Sequence, residues 1–192
     1  MKKRLILCCS LFMLGAGLVA CNQGSSSNSN TTETQVQEES VEESTTYQEL
    51  EAELKNQPVY VESTEYIVQD EQYKALYPDI LSAVVKNNSG TDVKNVQVAF
   101  AAWDSNNFPV KITPRFNYNN VDYVVLCDYG DVNMVDGATF GENYGLELDP
   151  ETQAISKIKA IVVNYTDFEG NTWENPCYED WAALYENKKL EE

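Results

Sequence analysis

The sequence predicts an all-β domain, an antiparallel β-sandwich that ends in a short C-terminal helix. Short segments rich in Val, Ile, Tyr and Phe alternate with clusters of Asn, Asp, Ser and Gly, at the spacing typical of sandwich strands. Within residues 58–190, a helical spacing of apolar residues appears only after Pro176. The apolar segments fall within residues 58–190, a length that suffices for one buried core.

The chain begins with the charged start, apolar middle and small-residue end of an export signal. Lys2, Lys3 and Arg4 precede an apolar run over residues 5–20. This run is shorter than the roughly 20 residues that a membrane-spanning helix needs. Residues 1–20 are therefore predicted to be a cleaved signal peptide, and an uncleaved spanning anchor is the alternative.

The end of this segment, Leu18-Val19-Ala20-Cys21, resembles the lipobox of bacterial lipoproteins. The resemblance implies cleavage between Ala20 and Cys21 and a covalent diacylglycerol on the Cys21 sulfur, with no other cofactor. Two acyl chains attach a protein stably to a membrane, whereas one does so marginally. The resemblance implies a location on the extracytoplasmic face of the cell membrane. Plain secretion, with Cys21 accidental, is the alternative.

Residues 21–57 are predicted to be the lipidated cysteine followed by a disordered acidic tether. Residues 22–46 consist mostly of Ser, Asn, Thr, Gln and Glu, and have almost nothing apolar to bury. Residues 47–56 have the pattern of a short helix, because Leu50 and Leu54 share one helical face. On its own in water, a helix of this length is marginal.

Within residues 58–190 the sequence predicts a succession of short strands. They cover residues 59–61, 66–68, 80–87, 94–103, 110–113, 121–127, 139–148, 156–165 and 172–173. The runs 80–87 and 94–103 flank a dense turn signal, which predicts a hairpin or a pair of facing sandwich strands. The run 156–165 is apolar on both faces, which is typical of a central strand.

The predicted C-terminal helix covers residues 179–187. Trp181, Leu184 and Tyr185 form one apolar stripe, which we expect to pack against the sheet. Glu179 and Asp180 lie in its first turn, and Lys188 and Lys189 follow its end, as the helix dipole favours.

Composition excludes some functions and disfavours others. The formal net charge is −18, and it becomes −21 once Lys2, Lys3 and Arg4 are removed with the signal. Such a chain repels nucleic-acid phosphates, so we expect no nucleic-acid partner. The absence of histidine removes the commonest general base and metal ligand. We therefore expect no enzymatic activity.

Five cysteines occur in the chain, and two of them, Cys8 and Cys9, lie in the signal segment. With Cys21 lipidated, Cys127 and Cys177 remain as an even pair in an exported protein. Such a pair is a candidate disulfide. The alternative is two separate buried thiols that act as small apolar groups.

An oxygen-rich segment around Gly130 and Gly137 is a candidate calcium site. Its candidate ligands are Asp128, Asp131, Asn133 and Asp136. Calcium takes six to eight oxygen ligands, but the spacing departs from that of an EF-hand loop. The alternative is a solvated loop in which Asp and Asn serve as turn residues. No metal site is firmly predicted.

Several aromatic residues near predicted turns are candidates for stacking on a sugar or a peptide. They are Tyr118, Tyr123, Tyr129 and Tyr144. The alternative is packing in the core or on strand faces. The three tryptophans each continue an apolar pattern, so Trp103, Trp173 and Trp181 are predicted to be core residues.

Two segments resemble known bacterial domains. Residues 87–90, 93–98 and 103–105 resemble the strand-turn-strand core of small immunoglobulin-like domains in bacterial lipoproteins. Residues 158–162, followed by Tyr165, Asp167, Gly170, Trp173, Asn175 and Pro176, resemble the C-terminal signature of an uncharacterised lipoprotein family of Gram-positive bacteria. The resemblance covers roughly residues 60–190. It implies an immunoglobulin-like fold and an envelope location, and supplies no catalytic residues.

These observations predict a non-catalytic interaction module displayed at the cell envelope. Its expected partners are the membrane, through the anchor, and an unidentified envelope protein or wall polymer. One alternative is a module that binds cell wall or another carbohydrate. A second alternative is an adhesin stabilised by calcium.

Overall fold

The computed structural model describes residues 47–74, 76–116, 120–150, 152 and 154–191. The predicted signal peptide, Cys21 and residues 22–46 of the predicted tether lie outside these residues. The described elements are helix α1 (47–54), strands β1 (Val59–Ile67), β2 (Ile80–Asn87), β3 (Val93–Trp103), β4 (Pro109–Val110), β5 (Val124–Tyr129), β6 (Thr139–Phe140), β7 (Gly145–Glu147), β8 (Lys157–Asp167) and β9 (Thr172–Glu174), and helix α2 (Tyr178–Tyr185).

The strands form two antiparallel sheets that face each other. In the first sheet, β2 lies between β1 on one side and β6 and β7 on the other. In the second sheet, β3 lies between β8 on one side and β4 and β5 on the other, and β9 extends the sheet beyond β8. The predicted all-β sandwich with a C-terminal helix is confirmed.

The main core lies between the two sheets. Leu81, Ala83 and Val85 of β2 point into it from the first sheet, and Val98 and Phe100 of β3 point into it from the second. Each set has the period-2 spacing that places side chains on one face of a strand. The sequence pattern therefore positions both central strands.

A second apolar cluster lies on the outer face of the second sheet, under the two helices. Ala99, Ala101 and Trp103 of β3 pack there against Trp181 and Tyr185 of α2. Trp103 also donates a 2.9 Å hydrogen bond from Nε1 to the carbonyl oxygen of Lys188. The predicted apolar stripe of the C-terminal helix thus packs against the sheet, as expected.

Several boundaries differ from the prediction. The runs 80–87 and 94–103 keep to one of their two predicted arrangements, because they are facing strands of different sheets and not a hairpin. Residues 59–67 are one strand with a bulge between Val61 and Ser63, because pairing with β2 continues past the irregular stretch. The run 139–148 is split into β6 and β7 by a turn, in which Gly141 has a φ of 112°.

Both helices end earlier than predicted. α2 ends at Tyr185, so Lys188 and Lys189 lie beyond its last turn and do not complement its dipole. α1 ends at residue 54 and is not an isolated helix, since Leu50 is buried in the second cluster and Leu54 packs against it. In the part of the chain that the structure describes, neither helix has the length and apolar character needed to cross a membrane.

Candidate functional site

A groove of about 190 Å³ runs between the edges of β1 and β8, under α1. Its walls are five consecutive residues of β1 (60–64) and five consecutive residues of β8 (158–162), with Asn175 at one end. Neighbouring residues of a strand point to opposite faces of the sheet. Only the edge of a strand can present five in a row, so the groove lies between two strand edges.

Both edges are open along the groove. Among the described strands, β1 pairs only with β2, so its other edge faces the groove. On its groove side, β8 pairs with β9 at residues 164–166. Asn175 extends this contact by donating backbone and side-chain hydrogen bonds of 2.8 and 2.7 Å to the carbonyl oxygens of Val163 and Val162. Residues 158–161 have β3 as their one strand partner in the described structure.

The β1 wall carries a bulge and a negative charge. The pairing register with β2 shifts between Val61 and Ser63, which places the exposed Glu62 at the bulge. Bulges and charged side chains both hinder an edge strand from pairing with another copy of the same chain. The groove therefore combines open backbone edges with a feature that selects against self-association.

Helix α1 and the residue after it close one side of the groove through Glu51, Leu54 and Lys55. A network centred on Lys159 of β8 holds the helix in place. The Lys159 Nζ donates hydrogen bonds of 2.6 Å to the Tyr47 hydroxyl and 2.7 Å to Glu51 Oε1. The Tyr185 hydroxyl donates to the same Glu51 oxygen at 3.0 Å.

The Lys159 ammonium also lies near two aromatic rings. It is 4.9 Å from the ring centroid of Tyr47 and 5.3 Å from that of Tyr185, distances at which a cation is attracted to the π-face. Burial by itself would lower the pKa of Lys159, but the hydrogen bonds that Lys159 donates to Glu51 and Tyr47 outweigh it and raise that pKa. Burial, followed by the negative charge of Glu51, raises the pKa of Tyr185. Lys159 is therefore held as a cation and Tyr185 as a neutral donor.

The structure does not assemble the candidate calcium ligands. Asp128 Oδ1 accepts a 2.7 Å hydrogen bond from Gln97, and Asp136 Oδ1 accepts one of 2.9 Å from the backbone of Gly90. Asp131 and Asn133 occupy the left-handed backbone region, with φ values of 52° and 48°. Within the described residues, no group of three Asp, Glu, Cys or His side chains is placed to hold a metal ion. These residues form turns and make separate contacts, and the calcium site stays a prediction.

The candidate disulfide is also absent from the structure, which contains Cys127 and Cys177 as free thiols. Cys127 packs against the core between the sheets, whereas Cys177 lies in the cluster under the helices. The second sheet separates the two sulfurs. Burial, with a smaller contribution from Asp128, raises the pKa of Cys127 to about 12. Burial, followed by the nearby Glu53 carboxylate, raises that of Cys177.

We therefore expect alkylation under denaturing, non-reducing conditions to modify both Cys127 and Cys177. In the native protein both thiols should react slowly, because thiolates are the reactive species and the raised pKa values suppress them. Peptide mapping by mass spectrometry is the measurement. A pair of peptides joined through the two sulfurs would contradict this result.

The candidate aromatic residues do not share one exposed surface. Tyr129 is fully buried and its hydroxyl contacts the backbone of Ala83, whereas Tyr144 is exposed. Tyr123 contacts Lys111 on another side, and Tyr118 lies outside the described residues. The tryptophan prediction is confirmed for Trp103 and Trp181, which are fully buried. Trp173 is half-buried and stacks on Tyr165.

The groove and the Lys159 network were not predicted from the sequence. One sequence feature could have drawn attention to Lys159: it is the single cation in the otherwise apolar run Ile158–Val162. A cation is unusual in a strand with both faces covered. A groove between strands that are distant in sequence leaves no local pattern. The bulge at Glu62 is likewise set by pairing and not by residue type.

The fold and groove define the class of this protein, a two-sheet antiparallel β-sandwich with two helices on the outer face of one sheet. Residues 80–188 match the model of a family of unknown function (DUF5780). Because this match covers more than half of the chain, the protein belongs to that family.

A solved structure of similar fold is the 1.85 Å X-ray structure of a hypothetical protein from Peptoclostridium difficile 630. The TM-score is 0.53 at 11% sequence identity, and the alignment covers 70% of this chain and 94% of that chain. At this identity the likeness supports the fold alone. A comparison with curated proteins gives no match.

Proposed function

We propose that this protein is a lipid-anchored, extracytoplasmic interaction module that accepts an extended polypeptide segment in the groove between β1 and β8. The pair of open strand edges supports this proposal most directly. An extended peptide can add to such an edge through main-chain hydrogen bonds, while neighbouring pockets select its side chains. In this proposal the protein is not an enzyme and needs no cofactor beyond the diacylglycerol on Cys21.

The size and charge of the groove favour one class of partner, an extended peptide with basic side chains. A volume of about 190 Å³ is below the roughly 300–1,000 Å³ of small-molecule sites. A narrow strand that contacts the edge suits the groove better than an enclosed ligand. Glu62 at the bulge and the strongly acidic chain both favour a partner segment with basic side chains, which they attract during association.

The lipobox and the fold support the proposed location and the finer fold class. Leu18 to Cys21 precede a tether that joins the domain at α1, so the groove stands within tether length of the anchor. A flexible tether of ~25 residues has a typical reach of about 25–30 Å. We further propose an immunoglobulin-like strand arrangement, which the facing positions of β2 and β3 support.

Cys21→Ala is expected to release the protein from the membrane. The substitution removes the sulfur that would carry both acyl chains, so stable attachment is lost. Fractionation of the producing cells, together with metabolic labelling by a palmitate analogue, measures both effects. A Cys21→Ala chain that remains in the membrane fraction would contradict the anchor.

A photo-crosslinking residue placed at Ser63, in the groove wall, is expected to capture a partner in intact cells. The matched position is Thr139, an exposed strand residue outside the groove. The crosslinked partner peptide is identified by mass spectrometry, synthesised, and titrated against the purified protein. We expect Glu62→Lys to weaken its binding by about tenfold, as the loss of roughly 1.4 kcal/mol from one charge contact implies.

Glu142→Lys, at an exposed position outside the groove, is the control for the change in net charge. It should leave the affinity nearly unchanged. Equal capture at Ser63 and Thr139, or equal weakening by the two lysine variants, would rule out the groove as the binding site. Capture of wall fragments in place of a peptide would favour the carbohydrate-binding alternative.

A further inference from the structure

Exposed apolar side chains are concentrated at one end of the sandwich, where β1 and β3 end and β2, β5 and β8 begin. Eleven large apolar side chains are exposed among the described residues, and seven of them lie at this end. These seven are Val68, Tyr73, Leu76, Tyr77, Phe108, Phe116 and Val121. Single exposed apolar residues are ordinary, but a group at one end marks an interaction surface.

Four of these residues form the surface that we call the apolar tip: Tyr73, Leu76, Tyr77 and Phe116. They belong to two loops that β7 and the residue after it tie together. The backbone of Arg115 donates a 2.9 Å hydrogen bond to Glu147, and the backbone of Leu148 donates one of 2.9 Å to Asp79. Tyr77 and Phe116 each lie within two residues of these contacts, so the two loops lie side by side at this end.

Phe116 has an exposed side chain and a backbone conformation that bulky residues rarely adopt. Its φ is 66° and its side chain is 77% exposed. A bulky residue with positive φ costs roughly 1–3 kcal/mol and persists only where the surrounding structure imposes it. The fold thus places an aromatic ring in solvent at the tip, with the guanidinium of Arg115 4.8 Å from the ring centroid.

Cations accompany the aromatic rings at this end. Lys189 lies 5.3 Å from the ring of Phe108, and Lys111 lies 5.3 Å from the ring of Tyr123. Seven of the ten basic residues after the signal segment lie in this half of the domain: Lys74, Lys111, Arg115, Lys157, Lys159, Lys188 and Lys189. Aromatic rings with Lys and Arg beside them are typical of surfaces that lie in the headgroup region of a bilayer.

The opposite end of the sandwich is strongly acidic. Asp92, Asp128, Asp131, Asp136, Asp167, Glu169 and Glu174 lie there or close to it. The remaining basic residues, Lys55, Lys86 and Lys94, accompany them. Three of the cations in the tip half are paired with carboxylates there: Lys74 with Glu71 and Asp79, Arg115 with Glu147, and Lys159 with Glu51. Both ends therefore carry carboxylates, and the exposed aromatic rings, not the charges, mark the tip as the end that suits a bilayer surface.

The chain also enters the domain at the tip end. Tyr47, the first described residue, contacts Lys159 near the beginning of β8, and α1 then runs toward the start of β1 at the far end. The segment that would lead from Cys21 thus meets the domain beside the tip. A tether attached at that end, with a typical reach of about 25–30 Å, keeps the tip end of the domain closer to the bilayer than the far end.

We propose that the apolar tip docks on the surface of a lipid bilayer, which leaves the groove between β1 and β8 accessible from the side. The proximity of the bilayer rests on the proposed anchoring through Cys21, and the contact itself rests on the tip residues. Docking adds a second, weaker attachment to that of the acyl chains, and it fixes the orientation in which the groove is displayed.

Fluorescence quenching on vesicles tests this contact. The chain from Cys21 onward is coupled through the Cys21 thiol to a maleimide lipid in vesicles of equal parts phosphatidylcholine and phosphatidylglycerol. The burial that slows the reaction of Cys127 and Cys177 makes the coupling selective. Tyr77→Trp and Leu76→Trp are the tip reporters. Phe168→Trp, at an exposed turn of the acidic end, is the matched control.

With lipids brominated in the upper acyl chain, we expect about a twofold loss of the added emission at residues 76 and 77, because interfacial side chains reach this depth. The Phe168→Trp emission should not change. Equal quenching at both ends, or none at the tip, overturns the proposal. The vesicle experiment attaches the protein to lipid chemically, so its outcome does not depend on whether cells lipidate Cys21. Lipidation in cells is tested separately by the metabolic labelling with Cys21→Ala.

Discussion

Gly145→Ala is expected to destabilise the domain by about 3 kcal/mol, one of the largest effects of any single methyl group. Gly145 begins β7 and lies opposite Ser82 of β2. An added Cβ would overlap the carbonyl oxygen of Leu81. That oxygen belongs to the backbone of a central strand, which cannot move without breaking its pairing with β1. The clash must therefore be relieved by displacing β7.

Thermal and denaturant unfolding measure this effect, and a decrease in Tm of roughly 10 °C is expected for a domain of this size. Gly130→Ala is the matched control, because no atom lies within 4 Å of its added Cβ. Its stability should stay within about 0.5 kcal/mol of the parent protein. Equal unfolding midpoints for the two variants would show that β7 does not pack against β2 as described.

Lys159→Met is expected to destabilise the protein by about 2 kcal/mol, because it leaves Glu51 partly buried without its cation. The value is smaller than for a fully buried ion pair, since both side chains retain some contact with solvent. The helix α1 loses its main polar attachment to β8, so the groove loses part of its wall. Amide hydrogen exchange over residues 47–54 should accelerate before the sandwich itself unfolds.

Two controls isolate the role of the network. Lys94→Met removes an exposed lysine from β3 and should cost less than about 0.5 kcal/mol. The double variant Lys159→Met with Glu51→Gln should lose much less unfolding free energy than the two single variants lose together. The reason is that Glu51→Gln removes the carboxylate that Lys159→Met leaves unpaired. Additive effects of the two substitutions would contradict a direct interaction.

The dependence on pH follows from the raised pKa of Lys159 in the folded protein. A cation favoured by folding contributes its full stability below the pKa of an unfolded lysine, about 10.4. The contribution is lost as the pH rises through the folded pKa. The difference in unfolding free energy between the parent and Lys159→Met should therefore be constant at neutral pH and shrink at strongly alkaline pH. An unchanged difference there would contradict this assignment.

Local patterns were sufficient for most strands, because alternation reports directly which side chains face a core. The segment 80–87 was predicted with its observed bounds, and 94–103 and 156–165 to within two residues. The patterns were insufficient where pairing partners decide the outcome. Residues 59–67 continue as one strand through a bulge, and residues 139–148 break into two strands around Gly141.

For the candidate sites too, local composition suggested possibilities that only the tertiary structure could distinguish. Asp and Asn are used both as calcium ligands and as turn residues, so the composition of residues 128–136 suits either role. The structure separates Asp128, bound to Gln97, from Asp136, bound to Gly90. Counting cysteines suggested a bond between Cys127 and Cys177, but the sheet lies between them.

By itself the sequence determined the acidic balance, the absence of histidine, the lipobox-like segment and the alternating strands of a sandwich. These are properties of composition and near neighbours along the chain. Only the tertiary structure decided the groove, the Lys159 network and the apolar tip. Each of these joins residues from distant segments, and their contacts depend on how the two sheets and the helices pack. Local preferences cannot specify such contacts, because the free energy that sets them is shared by the whole fold.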